Sequence, residues 1–299
     1  MSVNQQMLEA LIAKRQDLST THPYFKGMIY GESGFGKTVA AMKLAQAITP
    51  PGKTIEFIDF LEGWVSLLNH PELMKRANRQ AYEGLSQLEF LADCIIEGVE
   101  PFDKVGTVVV DEISAMGKAD LDIVLKTRAK KDPSKDPNVP TQPDFYANTE
   151  RMRRTVNKIL TANINVIFVA HIREDKLNSG LVVTRPALMP AFSETFRQMM
   201  HLVGNLTAEE FVAEDGTQEY KRAIQVHPTK RVSAKTRIGG LPVNMEIDDL
   251  IAAIVEWMQG NRKSEVMDTK TDENLVVVDD TSEVDEEVKS DDLEAIEIN

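Results

Sequence analysis

Gly31-Glu32-Ser33-Gly34-Phe35-Gly36-Lys37-Thr38 matches the pattern G-x-x-x-x-G-K-[ST] at every fixed position. The short apolar run Gly27-Met28-Ile29-Tyr30 leads into it, and the alanine-rich stretch Thr38 to Ile48 follows. A strand therefore enters the loop and a helix leaves it, which separates a phosphate-binding loop from a chance glycine-rich turn. Glycines let backbone N–H groups turn inward onto phosphate oxygens, and the helix N-terminus adds the positive end of its dipole. Lys37 is expected to reach the β- and γ-phosphates and Thr38 to bind Mg²⁺. The nucleotide-binding stretch extends to Val39, in the first helical turn, and the expected ligand is ATP with Mg²⁺.

Such a loop needs a second carboxylate on the magnesium side, at the end of a neighbouring strand. Thr107-Val108-Val109-Val110-Asp111-Glu112 supplies one: a β-branched run and then Asp111. The blander reading is an acidic helix start favoured by the dipole. Hydrolysis also needs a group to orient or deprotonate water. Glu112, beside Asp111, and Glu62, just past the strand Thr54 to Asp59, are the two candidates, with a slight preference for Glu112.

Strands and helices alternate outward from the loop. Helical spacing is read over Leu85 to Ile96, Ile113 to Leu125 and Phe145 to Ala162, and strands over Val105 to Val110 and Asn165 to Ala170. This order predicts an α/β fold with a mostly parallel sheet flanked by helices. The Pro/Lys/Asp-rich stretch Thr127 to Pro143 reads as a long exposed loop. Shorter strands follow at Leu181 to Val183, His201 to Leu206, Glu210 to Ala213 and Tyr220 to Val226, with Glu214-Asp215-Gly216-Thr217 as a hairpin turn. These form the C-terminal antiparallel strands, and Ile247 to Met258 is a final amphipathic helix. Met7, Leu8, Leu11 and Ile12 mark a short helix near the start.

The chain of 299 residues divides into an N-terminal helix (1–20), one ATPase domain (21–259) and a tail (260–299). From Asn261 to Asn299 there are 14 acidic and four basic residues, which is −10 of the total charge of −13 and leaves −3 on the body. Density of charge and scarcity of apolar residues predict a disordered acidic tail. No apolar run approaches a membrane span, and Met1 to Leu18 is polar and amphipathic, with no signal-peptide apolar stretch. Cys94 is the single cysteine, so an internal disulfide and a cysteine-based zinc site are both excluded. The expected location is cytoplasmic.

Three strand ends together resemble a known family. Glu56-Phe57-Ile58-Asp59 followed by Glu62 resembles the RecA strand carrying the catalytic glutamate, with Phe60-Leu61 displacing Glu62 by one residue. Val108-Val109-Val110-Asp111-Glu112-Ile113-Ser114 resembles the Walker B strand, with Glu112 where serine is common. Val166 to Arg173 resembles the strand whose polar end senses the γ-phosphate, here His171. Glu62-Gly63, Val169-Ala170-His171 and Ala234-Lys235-Thr236-Arg237 extend the likeness to the AAA-domain ATPases of bacteriophages, RecA-like proteins that include single-strand annealing recombinases. The resemblance covers roughly residues 24–245 and implies a RecA-like P-loop NTPase core. For Lys235 and Arg237 it implies trans-acting cations in a homo-oligomer; an exposed basic strand end is the alternative. A phage-encoded protein of this kind would work in the host cytoplasm.

In RecA-like proteins two loops contact DNA. The first would be Thr127 to Tyr146, with Lys126, Arg128, Lys130, Lys131 and Lys135 for phosphates and Phe145 and Tyr146 for stacking. The second, Arg173 to Arg185, carries Arg173, Lys176 and Arg185. A solvated lysine run is the plainer reading. The tail is either a solubilising linker or a competitor of DNA, and its apolar spots Leu275 to Val278 and Leu293-Glu294-Ala295-Ile296 could dock a replication or recombination protein. Three functions remain open: an ATP-dependent protein acting on single-stranded DNA, an ATPase remodelling a protein partner, and a nucleotide switch with little turnover.

Overall fold

Strand β1 (Lys26–Gly31) is buried at every position and delivers the phosphate loop to one edge of a ten-stranded sheet. The computed structural model describes residues 5–13, 23–212 and 218–260. In chain order the other strands are β2 (Thr54–Asp59), β3 (Ala77–Ala81), β4 (Val105–Asp111), β5 (Asn165–Lys176), β6 (Val182–Pro186), β7 (Leu202–Val212), β8 (Gln218–Gln225), β9 (Lys235–Thr236) and β10 (Asn244–Met245). The sheet order is β10-β8-β7-β1-β5-β4-β2-β3, with β6 on β5 and β9 on β7. From β7 to β3 every pairing is parallel, whereas β6, β8, β9 and β10 pair antiparallel.

The helices are α1 (Gln5–Ala13), α2 (Lys37–Ile48), α3 (Leu85–Glu97), α4 (Ile113–Lys131), α5 (Gln142–Thr161), α6 (Pro190–Met199) and α7 (Ile247–Met258). Strand alternation divides the core between two faces. Val108, Val110, Val166, Phe168 and Ala170 pack with α3, α4, α5 and α6. Val109, Ile167 and Val169 pack with α2 and α7 on the other side. The continuous β-branched runs are thus buried on both faces, as parallel strands require. On α1, Met7, Leu8 and Ile12 are exposed.

Four expectations change. Helix α4 runs on to Lys131, so Lys126, Arg128, Lys130 and Lys131 lie on its last turns and not in a loop. Lysine and arginine are good helix formers and suit a C-terminus, where they oppose the dipole. The true loop, 132–141, ends where Thr141 and Asp144 form a capping box, with Pro143 in the first turn of α5. Second, β5 continues to Lys176 and turns into β6, so Arg173 to Arg185 is a hairpin. Third, the two short strands read around residues 201–213 are one, β7, which runs through Glu209 and Glu210 without a break. Fourth, β3 and α6 were not anticipated: β3 (ANRQA) lacks the apolar pattern of a strand because it lies on the sheet edge. The hairpin turn at 214–217 and the acidic tail fall outside the described residues.

Two hairpins project beyond the loop. Gly31 pairs with His171 on β5 and with Leu206 on β7. Past those pairs β5 extends five residues to Lys176, and β7 extends six to Val212. At about 3.3 Å per residue these are arms of about 17 and 20 Å, one on each side of the phosphate loop.

Candidate nucleotide site

Parallel strands present their C-terminal ends on one edge, where α/β sheets hold ligands. Here that edge collects Gly31, Asp59, Asp111 and His171, since Asp59 pairs with Asp111 and Gly31 with His171. Gly36, at φ 89°, caps α2 in the left-handed region and turns the loop into the helix. Lys37 is nearly buried and its Nζ donates to the Glu32 carbonyl at 2.8 Å. Thr38 Oγ1 donates to Asp111 Oδ2 at 2.6 Å, so the two expected magnesium ligands already touch.

Burial holds the Asp111 carboxyl up at about 6, with Asp59 adding to the shift and the Thr38 bond and Lys37 opposing it. Such a carboxylate is short of positive charge. Among the described residues no three His, Cys, Asp or Glu side chains converge as a metal cage. A hydroxyl and one carboxylate beside a phosphate cradle fit Mg²⁺, which keeps waters and binds through substrate phosphates.

Glu112 is also buried, and burial followed by the Asp111 charge raises it to about 7. Its Oε2 contacts His171 Nε2, while Oε1 is buried without a well-formed hydrogen bond, although Ser114 and the Ala115 N–H temper the shift. Burial, and then the Lys37 charge, lowers His171 below the ordinary imidazole value. With Nδ1 lying 3.5 Å from Lys37 Nζ, a proton on Nε2 lets the ring donate to Glu112 and accept from Lys37. The His171 N–H donates to Ser114 Oγ at 3.1 Å, tying the strand end to α4.

Glu62 approaches from the β2 side. It is exposed and adopts the left-handed conformation at φ 56°, just before a short 3-10 turn at Gly63–Leu67. Gly63 is required there: a Cβ would stand 2.4 Å from Asp111 Oδ2 and 3.4 Å from Thr38 Oγ1. Its N–H donates to Asp59 Oδ1 at 2.9 Å, and Arg79 Nε donates to Asp59 Oδ2 at 2.6 Å. The fold thus brings Lys37, Thr38, Asp111, Glu112 and His171 together, with Glu62 at the rim. Sequence reading noted Gly63 only as part of the family likeness, and it missed the Asp59–Arg79 pair and Arg222, whose Nε donates to the Phe35 carbonyl of the loop. Asp59 was visible as a strand end; nothing local marked Arg222, which reaches the loop through the β7–β8 register.

A family model described as an AAA domain matches residues 24–238, most of the chain. The chain belongs to the AAA-domain family. It has the α/β fold of a P-loop NTPase, and nucleotide binding is the activity that membership carries. No curated protein matches it. In this AAA domain no helix among the described residues is long and apolar enough to cross a membrane.

The remaining expected residues lie elsewhere. Lys235 pairs with Val203 near the start of β7, at the end of the strands opposite the loop. Its Nζ donates to the Arg197 and Gln198 carbonyls at 2.9 Å, and Arg237 donates to Gln198 at the same distance. In their own chain both cations cap α6. Arg128, expected among the DNA contacts, is held within the chain: it pairs with Asp144 and donates to Thr141 and to the Asp136 and Val139 carbonyls, closing the 132–141 loop. Arg173 is similarly held by Asp175 and the Leu188 carbonyl, and Arg185 lies 4.0 Å from Asp175. Lys126, Lys130, Lys131, Lys135 and Lys176 are exposed.

Proposed function

We propose that this AAA domain hydrolyses ATP with Mg²⁺ and acts on single-stranded DNA in phage recombination or replication. The observation that carries the hydrolysis is the Thr38–Asp111 bond set beside the Glu112–His171 pair at the end of the phosphate loop. Lys37 and the loop amides would hold the phosphates, and Thr38 and Asp111 would hold Mg²⁺, which would supply neutralisation of phosphate charge. Glu112, with its pKa near neutrality, takes the proton of the attacking water, and His171 fixes its carboxylate and reports the γ-phosphate through Lys37.

The DNA reading rests on exposed cations and aromatics next to each other. Lys126, Lys130 and Lys131 line the end of α4, Lys135 follows in the loop, and Tyr146 is 70% exposed at the start of α5. Phosphate contacts and base stacking need this pairing. The same family likeness supports a homo-oligomer in which Lys235 and Arg237 face a neighbour's nucleotide. One observation favours a protein partner instead: an apolar recess of about 470 Å³ behind His171, lined by Phe145, Met152, Ile172, Met189 and Phe192.

ATP turnover measured with and without single-stranded DNA separates these. Stimulation that disappears on reversing Lys130 and Lys131 to glutamate supports DNA; indifference to DNA with stimulation by a protein partner overturns it. Glu112→Gln is expected to slow turnover at least 100-fold and Glu62→Gln less than fivefold. The reverse order would transfer the base to Glu62.

A further inference from the structure

The β7–β8 hairpin brings Arg222 onto the outer rim of the phosphate loop. Its Nε donates to the Phe35 carbonyl at 3.1 Å, and a Cβ on Gly36 would stand 3.4 Å from that nitrogen. The bare α-carbon of Gly36 is thus where the guanidinium rests. Its terminal nitrogens make no hydrogen bond among the described residues, so its N–H fork is uncommitted.

Strand alternation puts Tyr220, Arg222 and Ile224 on one face of β8. Ile224 is fully buried in the core that includes α2, which identifies this face as the one overlying the loop. Tyr220 leaves the same face one pleat farther out, about 7 Å beyond Arg222. It is 56% exposed. Across the ladder Arg222 pairs with Ala208, whose small side chain leaves space beside it, and Tyr220 pairs with Glu210.

The direction of the nucleotide follows from the sheet. Asp111, the metal ligand, lies on β4, two strands from β1 on one side, and β7 and β8 lie on the other. A triphosphate with its γ end toward Asp111 therefore points its nucleoside toward the β7–β8 hairpin. We infer that Tyr220 and Arg222 form the nucleoside wall of the site, Tyr220 stacking on the base and Arg222 holding the α-phosphate. An aromatic face accepts any base, and a guanidinium fork pairs with phosphate oxygens. This inference rests on the nucleotide reading above.

Titration calorimetry of the full chain with Mg·ATP and with Mg·tripolyphosphate, which has no base, tests it. Tyr220→Ala is expected to weaken ATP about tenfold and tripolyphosphate less than twofold, while Tyr220→Phe keeps both. Arg222→Ala is expected to weaken both ligands about fivefold. A Tyr220→Ala protein that binds ATP like the wild type, or loses both ligands equally, overturns the wall; Arg222→Ala without effect removes Arg222 from it. A wild type that binds ATP no better than Lys37→Ala sinks the nucleotide reading itself, and the inference with it.

Discussion

The two ends of the parallel strands bury similar polar residues to opposite effect. At the lower end, Lys26 Nζ donates to the Ala162 and Ile164 carbonyls, and the Lys26 N–H donates to His201 Nδ1. Asn165, fully buried, accepts from the Phe25 N–H and donates to the Ile48 carbonyl and Thr107. Every one of these groups has a partner within the chain. At the upper end Asp111 and Glu112 sit raised toward neutrality, and Glu112 Oε1 has no well-formed bond. Closed polar burial holds a fold together, whereas open polar burial waits for a ligand.

That contrast breaks if the upper end turns out to be structural. Lys37→Ala is expected to lower turnover 100- to 1,000-fold while shifting the melting temperature little, because its one strong protein bond is to Glu32. A large loss of stability in this variant would make Lys37 a structural cation like Lys26.

The lower end has its own signature in pH. Burial lowers Lys26 to about 8, so between pH 8 and 10.5 the unfolded chain holds the proton that the folded chain has released. Stability should therefore rise across that window, by up to about 3 kcal/mol, in denaturant titrations. A flat profile would show that the ammonium is better compensated than its burial implies. The smallest effect is the cleanest: Asn165→Ala should cost about 2 kcal/mol of stability and leave ATP affinity within twofold. Any larger change in affinity would mean that the two ends communicate.

The upper end was largely legible in sequence, and the reason is local. A phosphate loop must be contiguous, and Asp111 must close a β-branched strand, so both leave a pattern within ten residues. For the same reason His171 was readable as the polar residue closing an apolar run, and Glu62 as a carboxylate just past β2. The edges of elements were less legible: Arg128 and its neighbouring lysines carry the composition of a loop and the propensity of a helix, and helix won. Arg222 left no local sign, because its position is set by pairing Ala208 with Arg222 across a hairpin. The role of Arg128 was hidden likewise, since its anion, Asp144, lies on the next helix.

Strand β5 has a mechanical consequence. Between β1 and β4 it is clamped as far as the Val169 and His171 pairs, and beyond them its strand partner among the described residues is β6. It is a cantilever with His171 at its root. A deflection of about 5° there moves the tip at Lys176, about 17 Å away, by roughly 1.5 Å. A small tug on one imidazole is thereby magnified at the free end of the beam, with no hinge in between.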